Sequence, residues 1–237
     1  MSFFNPTQPI LARKQPSANS PEFQSMGCID LKIQDKTLFS GIYTCIDQTF
    51  VIWGVIAAAI FTTAQFLPMS WLNQAIIWTI ITGLGTGAMV ILTYSWVKLE
   101  RLAWLLYLWV GLMLTGVVVT DLAIFCGWGM ILMNLCNLWL ILSALGYLGT
   151  GLGMRSRAFL VAATIHGLAT FILPMVGGWQ FLVTGLVMMS NLLLFAEVRW
   201  DRLLPREIEA MARVKPEIRR SKSKQDHLTH CFSMLII

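Results

Sequence analysis

The sequence predicts an all-α membrane protein: a six-span transmembrane helical bundle of three antiparallel hairpins, with both termini in the cytoplasm. Three observations predict it. The 237 residues are 57% hydrophobic and only 12% charged, with a mean hydropathy of +0.69; soluble domains carry ~25% charged residues. The apolar residues gather in six stretches of about twenty, the length that crosses ~30 Å of hydrocarbon at ~1.5 Å per residue. The basic residues fall on alternate sides of those stretches.

Residues 1–27 are polar and Pro/Ser-rich. They read as a disordered cytoplasmic tail rather than a cleavable signal peptide, because no charged start leads into an apolar run. Residues 28–48 mix apolar and charged positions and suit a helix lying on the membrane surface, or else a solvated lead-in. The membrane domain covers 49–198. Its spans are expected at about 50–67, 71–97, 104–126, 129–150, 158–176 and 179–198. Pro68-Met69-Ser70, Gly127-Trp128-Gly129 and Gly177-Gly178 make tight turns on one side, and longer polar links lie on the other.

Of the 17 Lys and Arg, four precede span 1, two follow span 2, two follow span 4 and nine follow span 6. The three tight turns hold none, so the positive-inside rule places both termini and the two basic loops in the cytoplasm. Tryptophans give the same orientation. Trp71, Trp128 and Trp179 would mark the outer interface, and Trp53, Trp96, Trp104 and Trp200 the inner one. The membrane is expected to be a plasma (inner) membrane or another energy-transducing internal membrane.

The first and third hairpins look alike. FLPMSW at 66–71 parallels ILPMVGGW at 172–179, and VKLERL at 97–102 parallels VRWDRL at 198–203. An internal duplication accounts for this; so does convergence of short hairpins on Pro turns, Trp anchors and basic stops. The basic cytoplasmic tail, 199–237, carries Arg213, Lys215, Arg219, Arg220, Lys222 and Lys224, expected to contact anionic lipid headgroups at ~1 kcal/mol each.

Asp121 in span 3 is the one acid deep inside a span. Such a group costs ~2.5–3.5 kcal/mol on insertion scales, which makes it a site by default. Asn134 lies about six residues into span 4, across the tight turn, and Asn137 lies one turn deeper on the same face. Two uses stand open. Asp121 is a proton or cation acceptor in a polar site, or it is a hydrogen-bonding partner of Asn134 that holds two helices together at ~0.6 kcal/mol. His166 in span 5 and Asn191 in span 6 complete the candidate polar set, His166 as a proton relay, a pigment or haem ligand, or a simple hydrogen-bonding group. Gly83 and Gly87, and again Gly149 and Gly153, form GxxxG pairs suited to close helix packing.

Several classes are excluded. HExxH, GxSxG and P-loop motifs are missing, and no span holds a Lys for a Schiff base or an Arg series for voltage sensing. His227, His230 and Cys231 match no strong zinc pattern. No catalytic role, metal or cofactor is therefore expected, and the net charge of +5 belongs to topology and lipid rather than nucleic acid. In architecture alone, six spans with both termini inside resembles the membrane subunits of some export ABC transporters; no motif carries that likeness. The expected function is a small-solute or ion permease, or a permease subunit. The alternative is a non-catalytic accessory or assembly subunit of a larger membrane complex. The expected partners are the lipid bilayer and either further copies of the chain or other membrane subunits.

Overall fold

The computed structural model describes residues 3–4, 8–14, 27–33 and 36–203. Its body is helical: α1 (Cys45–Phe66), α2 (Trp71–Leu99), α3 (Ala103–Phe125), the short α4 (Gly129–Met133), α5 (Leu135–Gly153), α6 (Arg157–Ile172) and α7 (Gln180–Glu197). A 3-10 segment, Leu173–Trp179, joins α6 to α7. Among the described residues, five helical stretches are long and apolar enough to cross a membrane, the fifth being the 41-residue run Arg157–Glu197.

The packing of α2 shows which solvent the helices face. Its buried stripe is Gln74, Trp78, Thr82, Gly85, Met89, Thr93 and Val97, a spacing of three or four that marks one helix face. Its exposed side carries Ile80, Leu84 and Ile91, the last 81% accessible. Polar groups turn inward and branched aliphatics outward, the reverse of a helix in water. Continuous apolar surface of this kind belongs in lipid.

Helix ends follow local chemistry. Thr44 and Asp47 form a reciprocal capping box at the start of α1, each satisfying a free backbone N–H. Ser70 accepts from the Asn73 backbone N–H at the start of α2. The turn after α3 closes with the Trp128 N–H donating to Ala123 O at 2.9 Å, and Gly127 takes φ +65°, where a side chain would be strained. Arg101 and Arg155 adopt the same left-handed conformation after α2 and α5.

The helices close into a ring. α1 packs on α2 and α7, α3 on α2 and α5, and α6 on α5 and α7. Phe159 of α6 lies 4.6 Å from Phe195 of α7, centroid to centroid, so α7 runs back alongside α6. Gly177, at φ 53° and ψ −124°, interrupts the helical path between them.

Four strands lie outside the helical body. β1 (Leu11–Arg13) pairs antiparallel with β4 (Val198–Trp200), and β2 (Gly27–Ile33) with β3 (Lys36–Tyr43). The segment 28–48, expected as a surface helix or a solvated lead-in, holds β2 and β3 as a hairpin up to Tyr43, and α1 starts at Cys45, five residues before the expected span. Its Ile, Thr, Phe and Tyr favour strand, and the Thr44 cap fixes where helix begins. Within 1–27, Leu11–Arg13 are ordered as a strand against the end of α7. The span expected to start at Gly129 is also broken. Asn134 sits between α4 and α5 with φ −110° and ψ 17°.

Candidate functional site

A cavity of ≈ 150 Å³ lies inside the ring, lined mostly by α1, α2, α3 and α5, with Phe159 of α6 and Met188 and Leu192 of α7. Trp53, Trp78, Trp96, Trp109, Trp139 and Tyr147 line it, with Met89 and Met113. Among the described residues its polar lining is small hydroxyls, such as Thr79, Thr120 and Ser143, and one carboxylate, Asp121, with no basic side chain. Several hydroxyls are already engaged. Thr93 donates to Met89 O, and Thr150 donates to Gly146 O while accepting the Trp109 indole N–H at 3.0 Å. The helices bring the indoles this close because glycines face them. A Cβ on Gly146 would lie 2.5 Å from Trp109, and one on Gly116 2.8 Å from Trp139.

Asp121 is half-buried, one turn before the end of α3. Thr79 Oγ1 donates to its carboxylate, 2.9 Å from one oxygen and 3.1 Å from the other. The expected bond to Asn134 does not form. Asn134 is exposed, and its amide donates back to Met130 O at 2.9 Å. The break between α4 and α5 turns it toward its own helix end, and α2 rather than α4 flanks Asp121. Asn137 does share a face with Asn134, donating to its Oδ1 at 3.2 Å. Neither asparagine lines the cavity.

His166 and Asn191 form a separate knot between α6 and α7. His166 is fully buried; its Nδ1 lies 2.9 Å from Ala162 O and 3.3 Å from the Asn191 amide nitrogen. A nitrogen that donates to Ala162 O cannot also accept, so the arrangement fits an Asn191 amide turned to present Oδ1. Tyr147 covers the imidazole at 4.9 Å. The five expected polar residues thus fall into three groups: Asp121 at the cavity, exposed Asn134 with half-buried Asn137, and His166 with Asn191 in the core. Arg213, Lys215, Arg219, Arg220, Lys222 and Lys224 lie outside the described residues.

No protein-family model, curated protein or solved structure matches the chain.

A further polar cluster, absent from the expected set, ties the strand-bearing end together. Asp201 is buried and accepts from Ser156 Oγ, from the backbone N–H groups of Arg157 and Ala158, and from Arg157 Nε at 2.8 Å. Burial alone would raise its pKa; the Arg157 guanidinium and the N–H donors outweigh it and hold the carboxyl below its ordinary value. Lys14, just past β1, pairs with Asp47 at 2.6 Å. Tyr43 donates to Glu197 at 2.5 Å, and burial together with that carboxylate pushes its phenol pKa up. The tryptophans expected at this end divide accordingly. Trp104 is exposed, Trp200 is buried against Phe159, and Trp53 and Trp96 line the cavity.

Proposed function

We propose that the chain is a multi-pass permease, or permease subunit, that binds a small solute in the aromatic cavity with Asp121 as its polar end. One observation carries this reading: an apolar, indole-walled cavity whose lining includes a single carboxylate. Apolar walls with few polar groups are the usual form of a small-molecule site. The same proposal includes six crossings, counting α6 and α7 as separate arms. It places both termini and the basic links in the cytoplasm of a cell or energy-transducing membrane, and it assigns no catalytic step. The alternation of basic links with uncharged turns supports that orientation.

The test is uptake of a panel of labelled small solutes into proteoliposomes, compared with Ser143→Trp, which fills the cavity. Uptake of at least one solute that the filled variant abolishes is the expected result. No uptake of any solute, or uptake unchanged by filling the cavity, would overturn the reading.

A second reading, a subunit of a larger membrane complex, has its own observation. Gly83 and Gly87 are exposed on α2, and a Cβ at either would meet nothing within 4 Å. Such a face accepts a partner helix at close range. Native mass of the solubilised complex separates the two readings: a stable hetero-complex favours this one.

A further inference from the structure

We infer that the solute is a lipophilic monovalent cation, a quaternary or tertiary ammonium on an apolar body; this rests on the permease reading above. The inference starts from what Asp121 lacks. Among the described residues no basic side chain pairs with it, and its hydrogen-bonding partner is the Thr79 hydroxyl. One hydroxyl offers one proton to two oxygens that accept about four hydrogen bonds when ionised. A positive ligand would supply what the protein withholds.

The walls extend the argument. Trp78 is the chain neighbour of Thr79, and Trp139 packs over Gly116, five residues below Asp121, or about 7.5 Å along the helix axis. Both indoles line the cavity with Asp121. Aromatic faces attract an ammonium through the ring quadrupole, most strongly where water is excluded. A strongly hydrated inorganic ion would lose its water shell against these apolar walls with one carboxylate to replace it. An organic cation carries its charge on alkyl groups that suit the same walls. An anion would meet the carboxylate with no basic side chain in the lining to offset it.

Benzyltrimethylammonium and its neutral isostere neopentylbenzene test this on the full chain in nanodiscs. Intrinsic tryptophan fluorescence is followed, with partition into empty nanodiscs subtracted. The cation is expected to bind saturably and more tightly than the isostere. Asp121→Asn should weaken the cation roughly tenfold, the scale of losing one partly desolvated ion pair, and leave the isostere unchanged. Asp121→Glu, which keeps the charge, should keep the preference for the cation. Equal binding of both probes, or full cation binding by a folded Asp121→Asn, would overturn the cation inference and leave the cavity as a site for neutral solutes. Binding of neither probe, together with no uptake in the proteoliposome panel, would overturn both.

Discussion

Asp201, four residues beyond the end of α7, caps the N-terminus of α6 and pairs with Arg157 at 2.8 Å. The first N–H groups of a helix have no intrahelical partner. Those of Arg157 and Ala158 find the Asp201 carboxylate, because Ser156 makes no side-chain cap of its own. The side chain of Asp201 is 1% exposed and that of Arg157 29%, so removing the acid leaves the partly buried guanidinium with the Gln8 carbonyl but no countercharge, and two N–H groups unanswered. Asp201→Ala should lower stability by about 3 kcal/mol, and Ser156→Ala by about 1 kcal/mol. Thermal unfolding in detergent measures both, and equal small effects would show that the cap is incidental.

The same contact fixes a pH dependence. Asp201 has a depressed pKa in the folded protein. Its contribution is therefore complete above the unfolded carboxylate value of ~3.9 and is lost as pH falls through the lower folded value. The stability gap between the native chain and Asp201→Asn should be constant from neutral pH down to about 5 and should close in stronger acid. A gap that widened in acid would contradict the geometry.

Glycines on α2, α3 and α5 should separate by what they face. A methyl at Gly146 would strike Trp109 and one at Gly116 would strike Trp139. Either alanine should cost about 1–3 kcal/mol by overpacking and reshape the cavity wall. Gly83→Ala meets open space and should be neutral or stabilising by about 1 kcal/mol through helix propensity. Should Gly83→Ala instead break an oligomer on native mass, the α2 face is an interface, and the subunit reading gains.

The membrane class was legible because it rests on stretch length and charge placement, which are additive along the chain. The inward Thr and outward Leu of α2 agree with it. The site was only partly legible. Asp121 stood out as an acid among apolar residues, but its partner did not. Sequence proximity favours Asn134, whereas Thr79 lies 42 residues away and meets Asp121 because α2 packs on α3. The two GxxxG pairs look alike in sequence, yet Gly149 and Gly153 pack against Leu108 and Trp104 while Gly83 and Gly87 face outward. The segments around Glu100 and Asp201 read as basic stops. Both acids are in fact buried, and the acid shared by VKLERL and VRWDRL was the available signal. Strand pairing of Leu11–Arg13 with Val198–Trp200 joins segments 185–189 residues apart, which no local pattern announces.

The path from α6 to α7 carries the last prediction. Arg157–Glu197 is a single 41-residue helical run, but Gly177 departs from helical geometry, and His166 reaches Asn191 at 3.3 Å. Two residues 25 apart on one straight helix would be ~37 Å apart, so the run doubles back near Gly177. Arms of 16 and 18 residues rise about 24–27 Å, and each is extended by part of the 3-10 segment toward the ~30 Å of a hydrocarbon core. A reporter inserted at Gly178 should therefore read external, as should ones at Pro68 and Gly127, while fusions after Leu102, Arg157 or Ile237 should read cytoplasmic. A cytoplasmic signal at Gly178 with the others unchanged would make α6 and α7 a re-entrant pair and reduce the crossings to four. A cytoplasmic signal at Gly127 would overturn the alternation on which the orientation depends.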